Sequence, residues 1–289
     1  MVQILSGKDV SDRVKSEIAE QTKLLTEKGI TPGLAVIIVG DDQASRVYVN
    51  NKKKACALVG FKSEEYELPE STTENELLKL INELNARSDI DGILCQMPLP
   101  GHLDEQLVIN TIDPKKDVDA FHPSNVGKIM IGDFDFLPCT PAGIMELIKE
   151  TGIEISGREC VVIGRSNIVG KPMSMLLLHK SGTVTVCHSK TKNIKEVTKR
   201  ADILVAAVGI PGFVTEDMVK EGAVVIDVGI NRDENGKLCG DVDFGNVSKI
   251  ASAITPVPGG VGPMTIAMLM QNTLTAAKKR SAAAGTVNK

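Results

Sequence analysis

Tryptophan is absent from this 289-residue chain and aromatic residues make up only 3% of it, which excludes the aromatic platform on which single-stranded nucleic acid stacks. Positive charge is not in excess either. Thirty-three Lys and Arg face 37 Asp and Glu, a formal net charge of -4, so the bulk attraction to phosphate backbones or anionic membranes is missing. Neither nucleic acid nor a membrane is expected as a partner. No apolar run approaches the roughly 20 residues that cross a bilayer. The opening MVQILSGKDVSDRVK has no basic segment followed by a long apolar one, so a cytoplasmic protein is expected. The six cysteines, Cys56, Cys95, Cys139, Cys160, Cys187 and Cys239, include no CxxC pair, and the four histidines form no HExxH motif. No metal site is expected. Several of the cysteines fall in apolar stretches and read as buried thiols of a reducing compartment.

What is present is alternation. Short β-branched runs recur at LAVIIVG (34–40), GILCQM (92–97), ECVVIG (159–164), TVTVCH (183–188), ADILVAAVG (201–209) and AVVIDVG (223–229), and read as buried strands. Between them, residues 10–29, 74–85 and 172–182 carry apolar positions at helical spacing. Strands alternating with helices predict an α/β fold with parallel sheets, arranged as two lobes with a cleft between them. The Pro- and Gly-bearing stretch from Asp113 to Pro141 lacks a period and marks the domain junction. A final helix over 262–279, with Met264, Ala267, Met268 and Leu274 on its apolar side, is expected to pack back on the first half. The small, polar tail 281–289 is expected to fray.

The segment ECVVIGRSNIVGKPMSMLLLHKSG is a strand, a glycine turn and a helix, the arrangement that offers backbone N–H groups to a phosphate. Gly164 and Gly170 do not match GxGxxG, and Pro172 after Gly170-Lys171 rules against a Walker A loop. The same pattern also fits an ordinary tight turn. Arg165 follows the turn glycine and Ser189 ends the next strand, where a doubly wound sheet brings the adenosine end of a dinucleotide. With no acidic residue there to hold free ribose hydroxyls, Arg165 suits the extra phosphate of NADP, although an arginine there also fits a solvated surface. The loop TPVPGGVGPMT (255–265), with three glycines and three prolines, allows close approach to a flat ligand or else rigidly starts the last helix.

Ser45, Tyr48 and Lys52 fall at i, i+3 and i+7 and share one stripe if the segment is helical. Partial burial of that stripe would lower the lysine pKa and make it a proton acceptor, whereas Lys52, Lys53 and Lys54 together also read as a solvated basic face. Gln96 ends a strand in CQMPLPG, where two prolines fix a loop at the carboxyl edge of the sheet. Asp119 in KKDVDAFHP either accepts hydrogen bonds from a pterin-like heterocycle or caps a turn.

Taken together and in this order, SRVYVNNKKKAC, CQMPLPG, KDVDAFHP, PCTPAGI, GRSNIVGKPM, CHSKT and TPVPGGVGPMT resemble the methylenetetrahydrofolate dehydrogenase/cyclohydrolase family over nearly the whole chain. The resemblance implies an enzyme of folate one-carbon metabolism. Such an enzyme oxidises 5,10-methylenetetrahydrofolate to the methenyl form with NADP, then hydrolyses that to 10-formyltetrahydrofolate without a metal. It implies two α/β/α lobes: residues 1–138 with 263–289 binding tetrahydrofolate derivatives, and a Rossmann-like NADP-binding domain over 139–262, with the active site in the cleft. By position it makes Lys52, Gln96, Tyr48 and Asp119 catalytic, with Lys52 handling protons, Gln96 orienting it, Tyr48 stacking on folate and Asp119 holding the pterin. Pro98, Leu99, Gly260 and Pro263 join them in binding substrate. Gly164, Arg165, Ser166, Ile168, Ser189, Ile230, Thr255, Pro258, Gly259 and Gly262 would bind the cofactor, and a homodimer is implied. Met97, Cys95 and Ala120 depart from the family's usual residues, and Ala120, where Gly is common, bears on how Asp119 is aimed. The rivals are an NADP-dependent dehydrogenase of shikimate type and a catalytically silent nucleotide sensor.

Overall fold

The computed structural model describes residues 2–287, and the side chains there except at positions 43, 44 and 283–287. The chain divides into two compact units. One joins the chain up to Ser11 with Thr140–Thr265, and the other joins Asp12–Cys139 with the chain from Ile266 onward.

Strand β1 (Gln3–Ile4) and helix α1 (Gly7–Thr26) open the chain. Strand β2 (Gly33–Val39) is buried along its whole length, as a parallel strand covered on both faces must be. Helix α2 (Gln43–Val59) crosses over to β3 (Lys62–Leu68), α3 (Glu74–Ala86) crosses to β4 (Gly92–Cys95), and the three strands pair in parallel in the order β3-β2-β4. Strand β3 escapes the sequence reading. Its residues KSEEYEL are charged and lack an apolar alternation, yet all seven pair with β2 from Gly33↔Lys62 to Val39↔Leu68. An edge strand needs only part of one face apolar, here Tyr66 and Leu68 packed against the core, and charge on the rest discourages pairing with another chain. The core of this unit gathers Ala35, Ile37, Leu77, Ile81, Leu84, Ile93 and Val108.

Two helices follow, α4 (Glu105–Thr111) and α5 (Pro123–Ile131). The second lies inside the stretch read from sequence as irregular. Its signals are caps rather than a period: Pro123 at its first position, His122 accepting from Ser124 N at 3.0 Å, and Gly132 at φ 81° closing it.

The other unit is built from α6 (Cys139–Glu150), β5 (Glu159–Ile163), α7 (Gly170–His179), β6 (Thr183–Cys187), α8 (Ile194–Thr198), β7 (Ile203–Ala206), β8 (Val224–Asp227), a hairpin of β9 (Asn231–Arg232) and β10 (Leu238–Cys239), α9 (Phe244–Val247) and β11 (Ala253–Ile254). Six strands pair in parallel in the order β1-β11-β8-β7-β5-β6. Chain order reverses at β5: β6 lies on one side of it and β7, β8 and β11 extend on the other. In such sheets ligands bind beyond the carboxyl ends of the strands at this switch. The first residues, expected with the other lobe, belong to this sheet because Gln3 and Ile4 pair with Ala253 and Ile254.

Helix α10 (Val261–Val287) ends the described chain. It continues past the expected end at 279 because Ser281 to Ala284 include three alanines, the best helix former. Of the tail expected to fray, residues 288 and 289 lie outside the described residues. As expected, α10 packs on the first half: Asn272 Nδ2 donates to the carbonyls of Val118 and Leu137, both at 2.8 Å, and Arg280 pairs with the buried Asp91 at 2.6 Å.

Candidate active site

Helix α2 starts at Asp42, whose carboxylate accepts from Ser45 N at 2.7 Å, and stops at Gly60, φ 79°. Its buried residues, Ser45, Val49, Lys52, Ala55, Cys56 and Val59, recur every three or four positions and form one face. Lys52 sits in the middle of that face at 8% exposure, while its neighbours Lys53 and Lys54 are exposed and Lys53 pairs with Glu65 at 2.5 Å. The lysine run is therefore two residues of solvated surface and one residue of interior. Tyr48, predicted on the same stripe, is 39% exposed at its edge.

Gln96 leaves β4 with its backbone N–H donated to Ile37 O at 2.8 Å. Its side-chain amide donates to Met97 O at 2.7 Å, which turns Oε1 toward Lys52, and Lys52 Nζ donates to that oxygen at 2.8 Å. The sequence places the two residues 44 positions apart; the sheet makes them a pair. Pro98 is exposed, whereas Leu99 is 9% exposed and belongs to the core.

Asp119 follows Asp117, which bridges to Ile93 beside β4. Asp117 is buried and accepts from His122 N and Asn125 Nδ2, both at 2.8 Å, so of the two carboxylates it is the one that closes the turn. Ala120, φ 58°, sits in the left-handed region, a cost of about 1–2 kcal/mol for a residue with a Cβ. The Cys139 thiol lies 3.7 Å from Asp119 Oδ1. Burial pushes Asp119 up from 3.8 to about 6, against the pull of Lys52 and with a push from Asp117. Burial lowers the pKa of Lys52, and Asp119 is the largest opposing influence. The two groups are thus coupled, each holding the other charged where solvation is poor.

In the six-stranded unit, Gly164 ends β5 at φ 124°, and a Cβ there would stand 2.2 Å from Ala207 O. A Cβ on Gly170 would stand 2.3 Å from Gly164 O. No other residue fits either place. Ser166 Oγ accepts from Val169 N at 3.2 Å and Gly170 N at 3.3 Å, so it caps the start of α7. Arg165 and Ser189 are exposed after β5 and β6. Ile168, Ile210 and Ile230, in the loops after β5, β7 and β8, are 49%, 50% and 54% exposed, an apolar lining on a carboxyl edge. Thr255 is fully buried and its hydroxyl accepts from Asp227 N at 2.7 Å. Gly260 is buried against Gly7, Pro263 O accepts from Ser11 Oγ at 3.0 Å, and Pro258, Gly259 and Gly262 remain at least partly exposed. No group of His, Cys, Asp and Glu among the described residues could hold a metal ion.

Two family models match the chain: the catalytic domain of tetrahydrofolate dehydrogenase/cyclohydrolase over residues 5–119, and its NAD(P)-binding domain over 138–281. The chain belongs to the tetrahydrofolate dehydrogenase/cyclohydrolase family. It is 66% identical to the bifunctional protein FolD of Acetivibrio thermocellus over 275 residues, covering 95% of this chain and 96% of that one. The solved FolD dehydrogenase/cyclohydrolase of Campylobacter jejuni superposes with a TM-score of 0.94 at 52% identity, covering 97% of this chain and all of that one. The Trypanosoma brucei enzyme, solved with NADP cofactor and inhibitor, gives 0.92 at 40% identity over 96% of this chain and 98% of that one. Neither rival reading, a shikimate-type dehydrogenase or a silent sensor, is supported by these matches.

Asn272, Asp227 and Asp241 carry no expectation from sequence, and Cys139 is expected there only as a buried thiol. Cys139 and Asn272 back Asp119, Asn272 donating to Val118 O and lying 3.8 Å from the Cys139 sulfur. Asp227 and Asp241 are buried carboxylates in the six-stranded unit. Their motifs, IDVG and CGDVD, do hold a signal: an Asp within two positions of a Gly inside or beside an apolar run, where a charge needs backbone partners.

Proposed function

We propose that this chain oxidises 5,10-methylenetetrahydrofolate to 5,10-methenyltetrahydrofolate with NADP and hydrolyses the product to 10-formyltetrahydrofolate. The observation that carries the reading is the buried Lys52–Gln96 pair at 2.8 Å, coupled to Asp119, within a chain of this family. Burial raises the neutral fraction of Lys52, and a neutral amine beside an electrophilic methenyl carbon can take the proton of an attacking water. Gln96 Oε1 accepts from that amine and fixes its direction, which is the positioning the step requires. Asp119, when ionised, accepts from the amino and ring N–H groups of the pterin, and the half-exposed ring of Tyr48 stacks on the folate.

NADP, when bound, accepts the hydride. The residues present fit it. Gly164 and Gly170 leave the turn before α7 without side-chain bulk, the helix N-terminus favours a diphosphate, and Arg165 with Ser189 takes the 2′-phosphate. Ile168, Ile230, Pro258, Gly259 and Gly262 lie along the cofactor, while Ser166 and Thr255 shape its loops through the hydrogen bonds they make. Lys52 supplies the proton handling of the cyclohydrolase step, since water attack on an already electrophilic methenyl carbon needs a proton acceptor. No helix among the described residues is long and apolar enough to cross a membrane, and we place the enzyme in the cytoplasm as a homodimer.

The test is an absorbance assay of the purified chain with methylenetetrahydrofolate and either NADP or NAD, followed by acid conversion of formyl product to the methenyl form. NADPH together with formyl product above the uncatalysed level is the expected result. Reduced cofactor without formyl product would withdraw the cyclohydrolase role from Lys52.

A further inference from the structure

Two aspartates with no part in the chemistry above interlock at the carboxyl edge of the six-stranded sheet. Asp241, between β10 and α9, is fully buried. Its Oδ2 accepts from the backbone N–H of Val208 at 2.7 Å and of Gly209 at 3.0 Å, and its Oδ1 accepts from Ile210 N at 2.9 Å and Asn231 Nδ2 at 2.8 Å. Asp227, the last residue of β8, accepts from Gly229 N at 3.1 Å and Asp241 N at 2.8 Å on one oxygen and from Val242 N at 3.0 Å on the other. The fit is tight in both directions. A Cβ on Gly229 would stand 2.2 Å from Asp241 Oδ1, and one on Gly240 would stand 1.9 Å from Asp227 Oδ2.

Two buried carboxylates side by side are a costly way to hold a loop, and a cap or an apolar contact would serve mere stability at lower cost. What this pair holds is specific. Three consecutive N–H groups of the loop after β7 converge on Asp241, the third being that of the exposed Ile210. The fourth partner, Asn231, adjoins the exposed Ile230 after β8. Strands β7 and β8 lie on the opposite side of β5 from β6, and the function proposed above puts the adenosine end at Arg165 and Ser189, after β5 and β6. A dinucleotide laid across the switch therefore brings its nicotinamide half over the ends of β7 and β8.

We propose that Asp241, steadied by Asp227, is a positioning residue for the nicotinamide half of the cofactor, setting the loops that present Ile210 and Ile230 to it. The inference rests on the reading of the chain as an NADP-dependent dehydrogenase. The full chain tests it through two activities measured separately, because the cyclohydrolase residues lie in the other unit. Asp241→Asn replaces an acceptor oxygen by an amide that cannot accept, facing backbone donors. Asn231→Ala removes one of the four bonds and serves as the milder variant if the first fails to fold. The expected result is a loss of at least tenfold in dehydrogenase kcat/KM for NADP in Asp241→Asn and about threefold in Asn231→Ala, with cyclohydrolase turnover of methenyltetrahydrofolate within twofold of the parent. Parallel loss of both activities, or an unchanged response to NADP with only a lowered melting temperature, would make the pair a structural brace and overturn the proposal. A parent chain that reduces no NADP would instead remove the reading on which it rests.

Discussion

An amine at Lys52 sits on the buried face of a helix with one amide oxygen and one carboxylate to answer it, and two predictions follow from that environment. Lys52→Met keeps the length and packing of the side chain while removing the proton acceptor. Cyclohydrolase turnover should fall by about a thousandfold, within the range of a lost general base, while NADP affinity stays within twofold, as titration of cofactor fluorescence would show. If Asp119 holds the pterin as an ionised carboxylate, as proposed above, its pKa, pushed up to about 6 by burial, should set the pH dependence of substrate binding. The KM for methylenetetrahydrofolate should rise about tenfold per pH unit below about 6, and Asp119→Asn should abolish that dependence. The stability sign is opposite. A carboxyl raised above its unfolded value contributes stability that is fully present below that value and lost as pH rises through about 6. Asp119→Asn should therefore stabilise the chain at pH 7.5, by about 1–2 kcal/mol after allowing for partial solvent screening, and not at pH 4. An equal urea midpoint shift at both pH values would show that burial is not what raises Asp119. Lys52, Gln96 and Asp119 are legible in sequence as residue types at suggestive places. Burial of Lys52 beside two exposed lysines is not, since KKK reads alike whichever member turns inward.

Elements put these residues to work through backbone that tolerates no substitute. Gly170→Ala would place a Cβ 2.3 Å from Gly164 O, against backbone that cannot step aside. Dehydrogenase activity should fall at least a hundredfold through NADP affinity, with the cyclohydrolase retained; loss of the latter as well would mean the turn supports more than the cofactor. Asn272 on α10 does comparable work behind Asp119. Asn272→Leu would keep the volume, leave the Leu137 carbonyl without this donor and leave Val118 O only the Cys139 thiol at 3.5 Å, a lost amide donor being worth roughly 1–3 kcal/mol if the acceptor stays buried. A denaturation midpoint lowered by a total of about 2–4 kcal/mol is expected, with a raised KM for folate. The strands and the long amphipathic helices were legible as elements because period and β-branching are local, but TVTVCH, expected to be buried, forms the edge strand β6 with Val186 39% exposed and only Cys187 buried, since it has a neighbour on one side alone. Strand β3 was not legible, because pairing with β2 and not its own residues makes KSEEYEL a strand. Nor was α5, whose start and stop are caps without an apolar period.

For the whole molecule, binding energy must appear as stability. NADP at a hundred times its dissociation constant should add about 2.7 kcal/mol to unfolding, seen as a rise in melting temperature. NAD at the same concentration should add less, and Arg165→Ala should bring the two cofactors together; a difference that survives this variant would place the phosphate contact elsewhere. The sequence by itself determined the α/β class, the order of motifs and the family, because alternating periods and glycine-bearing turns are written in consecutive residues. Tertiary structure alone decided which lysine is interior, that Gln96 answers it across 44 residues, that the first strand joins the six-stranded sheet, and that Asp227 and Asp241 interlock. These depend on which distant segments share a sheet edge, and free energy of burial and hydrogen bonding is settled there and not along the chain.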